Sequence, residues 1–518
     1  MSGSARTVCT VIVKLTFVCL TFQVTVRQIM VRNFALAALA VVIAARINKH
    51  IDVVELIEHR AAVEDVQAGA PEEYFSTQKL DHTDASNSNV WSQRFFTNDE
   101  FYGGPGSPVF VYISGEWIAR NTTVTSKGLH MNVLAKKHKA LIVLLEHRFY
   151  GKSQPLPDFK VSSLQYLTAE QALKDLVNFQ DHLAAKRNLT KDSKWIAFGG
   201  SYPGMLAAWA KLQHGSRFAG SVASSGPIDT QTNFYQYADK VEFGLNFVGG
   251  KECVDAVSDS LKAFHNVIAS TKPEDVAQLN ALFKPCTPLA NDWDRAVLEA
   301  YVFYSFEGLS QANDYAAYGL KQACADFTKV GKTPLQKAAD YFYLQIGDAT
   351  CYNYDYQDNF LDASVTSTDV TTTGTNRQWT YQTCSEFGFG QNSASAKGIF
   401  SVLSYLDVNK AFSEVCRQAF NISAAQTDAA VVANRQKYGA LKINVENVVF
   451  PTGNLDGWAA LAPSNATGVV NPKSEVIDVV GLSHCGDMGA PDASDSVHLA
   501  WAHVKVEAAV DRFLRDQC

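Results

Sequence analysis

The sequence predicts an α/β fold: a mainly parallel sheet, covered on both faces and interrupted by a helical insertion. Three observations carry this reading. Short β-rich apolar runs alternate with helical spacing in the first half of the chain. A helix-rich stretch holding six cysteines, Cys253 to Cys416, follows. Strand-like runs then resume near the C-terminus.

Pro108–Ser114 (PVFVYIS), Ala140–Leu145 (ALIVLL) and Trp195–Phe198 (WIAF) read as strands, and Gly220–Ala223 begins a fourth. Continuous apolar runs of this length mark strands buried on both faces of a sheet. Between the second and third, Ala169–Leu189 sets Leu173, Leu176, Val177 and Leu183 at helical spacing. Strand–helix–strand order argues parallel pairing. From about Asn233 to Ala396 the pattern changes. Asp294–Tyr304, Gln311–Ala325 and Thr333–Leu344 have helix-like apolar spacing, and polar Asp358–Asn376 reads as a loop. Strand character returns at Val445–Phe450 and Glu475–Val480, and Glu507–Arg515 reads as a terminal helix. The expected division is a leader over 1–45, a first α/β segment over 46–232, a helical insertion over about 233–396 and a second α/β segment over 397–518.

Composition narrows the function classes. Of 518 residues, 47% are hydrophobic and 19% charged, enough to bury a large core and to exclude general disorder. Lys+Arg 45 minus Asp+Glu 52 gives −7, so no basic face for nucleic acid is implied. The first 46 residues hold five basic residues and no acid, which leaves 40 − 52 = −12 for the rest. Two apolar stretches lie there, Val11–Val26 and Phe34–Ala45. The second follows Met30-Val-Arg-Asn and ends on small residues, as a secretory signal peptide does. Met30 is an alternative start, and an uncleaved anchor is the competing reading. No later stretch approaches the ~18 apolar residues of a membrane span, so no stable membrane association is expected after signal removal.

Cysteine usage agrees with export. Cys9 and Cys19 fall in the leader. The remaining Cys253, Cys286, Cys324, Cys351, Cys384, Cys416, Cys485 and Cys518 allow four disulfides. None forms a CxxC pair, so no metal site is expected. Sequons at Asn121, Asn188, Asn421 and Asn465 fit a glycoprotein.

The sharpest chemical signal is Trp195-Ile-Ala-Phe-Gly-Gly-Ser201-Tyr-Pro-Gly204-Met-Leu-Ala-Ala-Trp209. An apolar strand meets two glycines, a serine and then a helix. Such a sharp turn raises the serine hydroxyl above the sheet, and the helix start offers unpaired N–H groups to a developing oxyanion. The spacing departs from G-x-S-x-G, because Pro203 stands second after Ser201 and glycine comes at 204. A serine nucleophile needs a base, and the base an orienting acid, in chain order Ser, Asp, His on loops after late strands. Asp456, in Gly453-Asn-Leu-Asp-Gly-Trp, and His484, in Gly481-Leu-Ser-His-Cys, occupy those places. His147, His498, His503, Asp478, Asp487 and Asp492 fit the order less well. Tyr202 N–H and the loop Ser114-Gly115-Glu116-Trp117 are the candidate oxyanion donors; a simple turn is the alternative for that loop.

With Glu146-His-Arg-Phe-Tyr-Gly-Lys-Ser153 and Tyr381-Gln-Thr-Cys384-Ser-Glu386, these motifs make the chain resemble the family of lysosomal prolyl carboxypeptidase, dipeptidyl peptidase II and thymus-specific serine protease. The resemblance runs from about Tyr74 to the C-terminus and is greatest to the thymus-specific branch. It implies an α/β-hydrolase domain with a disulfide-stapled helical cap, and it maps nucleophile, acid and base onto Ser201, Asp456 and His484. It also implies an apolar substrate pocket. Met205 and Trp458 match that pocket, Phe389 stands in for another of its residues, and Asp-Pro-Trp is replaced by Asp456-Gly457-Trp458. From the resemblance come the pairs Cys253–Cys324, Cys286–Cys351 and Cys384–Cys416; Cys485–Cys518 is added from proximity alone. The expectation is a secreted or lysosomal serine peptidase acting on short peptides or chain ends, with an apolar residue, proline among them, at the cleaved position. It needs no cofactor, and a homodimer stays open. An esterase or lipase of the same fold, or a binding protein that kept the fold, are the competing readings.

Overall fold

The central strands carry no polar alternation because both of their faces are buried. The computed structural model describes residues 68–372 and 374–515, so the expected leader and Cys518 lie outside the described residues. The strands of the main sheet are β1 (Glu73–Lys79), β2 (Val90–Asn98), β3 (Val109–Ile113), β4 (Leu141–Leu145), β5 (Trp195–Gly200), β6 (Gly220–Ser224), β7 (Val448–Gly453) and β8 (Glu475–Val479). They form one sheet in the order β1-β2-β4-β3-β5-β6-β7-β8. β2 runs antiparallel to both neighbours; every other pairing is parallel.

Helices α1 (His130–His138), α2 (Ala169–Arg187) and α3 (Tyr202–Gln213) accompany the first six strands. Between β6 and β7 lie α4 (Gln236–Ala269), α5 (Asp292–Gln311), α6 (Leu320–Thr328), α7 (Pro334–Ile346) and α8 (Ala424–Tyr438), and α9 (Val497–Arg515) follows β8. The period-two alternation of a strand divides the apolar residues between two cores. Val109, Val111, Leu141, Val143 and Ala197 pack with α2, α3 and the inserted helices. Phe110, Tyr112, Ile142, Leu144, Ile196 and Phe198 pack under α1 and α9.

Sequence patterning missed β1 and β2, and the reason is physical. β2 buries a polar residue on each of its faces, and both are paired. Gln78 donates to Gln93 at 2.7 Å, and Arg94 forms a buried ion pair with Glu146 and donates to the Ala119 carbonyl at 3.2 Å. The Gln93–Arg94 dipeptide therefore looks solvated while being enclosed. In the insertion, the expected Gln311–Ala325 helix is instead the end of α5, a turn, and α6. The 34-residue α4 bends at Gly250, whose φ of 65° only glycine adopts without strain. The polar Asp358–Asn376 segment contains two short helical turns, and α9 begins ten residues before the expected terminal helix. The sheet resumes only at β7, and α8 leans on the α/β layers through the stacked pair Trp209–Tyr438, with centroids 4.0 Å apart.

Cys253–Cys324, Cys286–Cys351 and Cys384–Cys416 are disulfide-bonded. The first ties α4 to α6. The fourth pair is corrected: Cys485 is a free, buried thiol. At φ 58° its side chain is turned inward, with Sγ 3.0 Å from where a Cβ on Gly200 would stand. The sulfur is enclosed beside the serine turn. Alkylation without reductant should therefore spare the Cys485 peptide in the native protein and modify it after denaturation, as read by peptide mass mapping. Modification of native protein at Cys485 would contradict the burial.

Candidate active site

Ser201 stands between β5 and α3 with φ 63° and ψ −130°, a conformation that strains any residue with a side chain. The turn closes only because its neighbours are small. A Cβ on Gly199 would run into the Pro203 carbonyl, and one on Gly204 into the Ser224 carbonyl. Ser201 N–H donates to the Ser224 carbonyl at 3.0 Å, anchoring the turn on the end of β6.

The loops after β7 and β8 meet the same edge. Asp456 lies three residues past β7 and is fully buried. One carboxylate oxygen accepts Trp458 N–H at 2.9 Å, and the other faces His484 Nδ1 at 2.8 Å. The two loops are stitched by Leu455 N–H to the Leu482 carbonyl, 3.0 Å, and Asn454 N–H to the Val479 carbonyl, 3.1 Å. Cys485 N–H donates to Ser225 Oγ at 2.9 Å, which fastens the histidine loop beside the Ser224 anchor of the elbow. His484 Nε2 is buried with no hydrogen-bond partner among the described residues. Burial alone would depress this imidazole, but the adjacent Asp456 charge outweighs it and holds the pKa well above the usual value.

Residues of the insertion support both loops. Ser310 Oγ donates to the Leu455 carbonyl at 2.7 Å, the Asp314 carboxylate accepts Ser483 N–H at 2.6 Å, and Tyr315 OH donates to the His484 carbonyl at 3.4 Å. No motif marks these residues; Ser310 lies in the last turn of α5, and Asp314 and Tyr315 just beyond it.

Tyr202 is the first residue of α3, so its N–H has no acceptor within the helix. A Cβ on Gly115 would strike Pro203 and the Trp117 ring, so the Gly115–Glu116 loop lies directly on the start of α3. Glu116 is buried near Tyr150 and Tyr202. Trp458 sits among Phe389 at 5.1 Å, Phe234 at 5.4 Å and Tyr237 at 5.6 Å between ring centroids, and 6.4 Å from the His484 ring. Met205 shares that large core but has no exposed surface.

The competing candidates are otherwise engaged. His147 Nε2 meets Tyr202 OH at 2.9 Å and its Nδ1 meets the Arg148 carbonyl, while burial lowers its pKa to about 4. His503 Nε2 meets the Asp487 carbonyl, and the Asp487 carboxylate accepts Ser224 Oγ–H at 2.5 Å. Asp478 and Asp492 accept local backbone N–H groups, and His498 is exposed. Asn121, Asn188, Asn421 and Asn465 are all exposed. No cluster of three His, Cys, Asp or Glu among the described residues could hold a metal ion, and no described helix is long and apolar enough to cross a membrane.

The strand order, with β2 alone reversed, defines an α/β-hydrolase-type fold, and a strained serine at the end of its fifth strand points to the serine hydrolases. Comparison with known proteins narrows the class. The chain belongs to the serine carboxypeptidase S28 family, whose model matches residues 78–506, and it is a serine-type peptidase acting on peptide substrates. It is 31% identical to the human thymus-specific serine protease over 83% of this chain and 84% of that one. It is 30% identical to the mouse thymus-specific serine protease over 86% and 88%. Against human lysosomal Pro-X carboxypeptidase it is 26% identical, also over 86% and 88%.

Proposed function

We propose that Ser201, His484 and Asp456 form the catalytic triad of this peptidase. The observation that carries the reading is the 2.8 Å pair of His484 Nδ1 and Asp456, with Nε2 left buried and unpartnered on the edge where Ser201 emerges. His484 Nε2 takes the Ser201 proton as the hydroxyl attacks the scissile carbonyl. Asp456 holds the Nδ1–H tautomer. Tyr202 N–H and a backbone N–H of Gly115–Glu116 receive the developing oxyanion. The imidazolium then protonates the leaving amine, and water, deprotonated by the same nitrogen, releases the acyl group. The open Nε2 in the resting enzyme fits a base whose hydrogen bond tightens only when substrate is bound.

Trp458 and Phe389 form the wall next to the imidazole, with Met205 behind it, so the residue at the cleaved position is apolar and uncharged, proline among the candidates. The pinned end of α5 restricts access to short peptides or chain ends. Three disulfides and four exposed sequons support a secreted or lysosomal enzyme.

A digest of a peptide library, read by mass spectrometry at pH 5 and pH 7, tests the reading; cleavage only beside Lys or Asp would refute it. The same assay serves the pocket. Trp458→Ala should lower kcat/KM for peptides with Pro or Ala at the cleaved position by about 10- to 200-fold, with little change on poor Lys substrates. Equal loss on all three would remove Trp458 from the pocket wall.

A further inference from the structure

Two of the sequence motifs, Glu146–Ser153 and Tyr381–Glu386, supply nothing to the steps above, yet the fold brings both to one atom. That atom is the Tyr202 hydroxyl. Tyr202 opens α3 directly after Ser201. Its hydroxyl lies 2.9 Å from His147 Nε2 and accepts from Gln382 Nε2 at 3.0 Å. Gln382 Oε1 in turn accepts the Tyr150 O–H at 2.6 Å. Gln382 and Tyr150 are 0% exposed, Tyr202 1% and His147 4%, so bulk water does not reach these contacts.

The proton positions follow from the partners. The Arg148 carbonyl, 2.8 Å from His147 Nδ1, can only accept, so Nδ1 carries the hydrogen. Nε2 is then the acceptor for the Tyr202 O–H, which leaves the tyrosine oxygen free to accept the Gln382 amide. One arrangement of protons serves all these contacts. Both arms also rest on fixed backbone. His147 stands two residues past the end of β4. Gln382 lies between two ties to the α/β layers: Gln378 donates to the Phe149 carbonyl at 3.1 Å, and Glu386 accepts Ala169 N–H, at the start of α2, at 2.9 Å. The Trp379 and Phe387 rings pack on the Tyr202 ring, with centroids 5.6 and 5.4 Å away. Phenylalanine at 202 would fill the same space and need no buried partners. The hydroxyl instead ties the residue after the nucleophile to two other segments, one of them in the insertion.

We propose that His147 and Gln382 are positioning residues for the reaction: by holding the Tyr202 hydroxyl from two sides they fix the first residue of α3, and with it the N–H offered to the oxyanion. This deepens the triad and oxyanion reading and rests on it. An oxyanion donor works only where it already points at the developing charge, and a displacement of an ångström or less costs much of its effect. Gln382 therefore makes the insertion part of the machinery that aims the nucleophile turn, in addition to restricting access.

The test uses the full-length enzyme, one apolar peptide substrate and two matched inhibitors. A peptide trifluoromethyl ketone forms a tetrahedral adduct with the nucleophile and places an oxyanion in the site. The alcohol made by reducing it binds without that step. Tyr202→Phe, Gln382→Leu and His147→Leu should each lower kcat by about 10- to 100-fold, with KM within ~3-fold of wild type. Ki for the ketone should rise with the loss of kcat, while Ki for the alcohol stays within ~3-fold. The Tyr202→Phe/Gln382→Leu double variant should lose no more than ~3-fold beyond the larger single loss, because both changes act through one hydroxyl. His147→Gln, which keeps an acceptor near the Nε2 position, should recover part of what His147→Leu loses. Tyr202→Phe keeps the ring and its packing, so it decides the matter even if a leucine variant fails to fold. Unchanged kcat, a loss confined to KM, equal weakening of ketone and alcohol, or losses that multiply in the double variant overturn the proposal. Fluorophosphonate labelling of Ser201 in wild type reports the triad separately. If wild type neither labels nor cleaves any peptide, the triad reading fails and this proposal falls with it.

Discussion

Ser201→Ala should lower kcat on the best library peptide by on the order of 10⁴- to 10⁶-fold, with the fold and its disulfides intact. The expectation follows from what the hydroxyl does and does not touch. The elbow is held by the Ser201 backbone, whose N–H reaches Ser224 and whose carbonyl accepts Met205 N–H at 3.1 Å. Neither bond needs the side chain. Alanine also suffers the same positive φ, so the substitution relieves no strain. Chemistry is lost while architecture remains. The remaining oxyanion donors and binding groups set a floor, which is why the loss is finite. A fluorophosphonate should modify wild type at Ser201 alone, as read by peptide mass, and should not modify the variant. Adduct at another serine, or activity within ~10-fold of wild type, would remove Ser201 from the nucleophile's place.

The elbow and the Asp–His pair were legible because their chemistry demands local sequence. A strained serine needs Gly199, Gly200 and Gly204, since added Cβ atoms there meet backbone, Met488 or Cys485. Asp456 and His484 follow apolar strands at short distance, so the strands point to them. The central strands were legible for the same reason: burial on both faces leaves nothing polar to confuse the pattern. What could not be read was decided by distant partners. β1 and β2 hide because Arg94 is polar in sequence and neutralised in space by Glu146, 52 residues away. Cys485 looked like a disulfide partner because cysteine counting knows nothing of side-chain direction. Its sulfur is instead packed against Gly200, which precedes Ser201. Asp314 and Ser310 were invisible because their work is to hold other loops, and no spacing rule encodes that.

Asp456→Asn should lower kcat/KM by about 10⁴-fold near neutral pH, and the residual activity should persist to lower pH than in wild type. Two effects combine. Asparagine can donate its amide N–H to His484 Nδ1, which fixes the proton on Nε2 and leaves no lone pair there to accept the Ser201 proton. That tautomer accounts for the size of the loss. The direction of the pH shift follows from the electrostatics. His484 must be neutral to act as a base, so activity rises with pH through its pKa. Burial pulls that pKa down, and in wild type the Asp456 charge overrides it and lifts the value. Without the charge, the largest opposition to burial is gone, the imidazole loses its proton at lower pH, and the acid limb moves the same way. The profile of kcat/KM from pH 4 to 9, measured on both proteins with one apolar peptide, checks both claims. An acid limb that stays in place or moves upward would mean that Asp456 does not set the charge state of His484. A loss under ~10-fold would mean that it does not set the tautomer either.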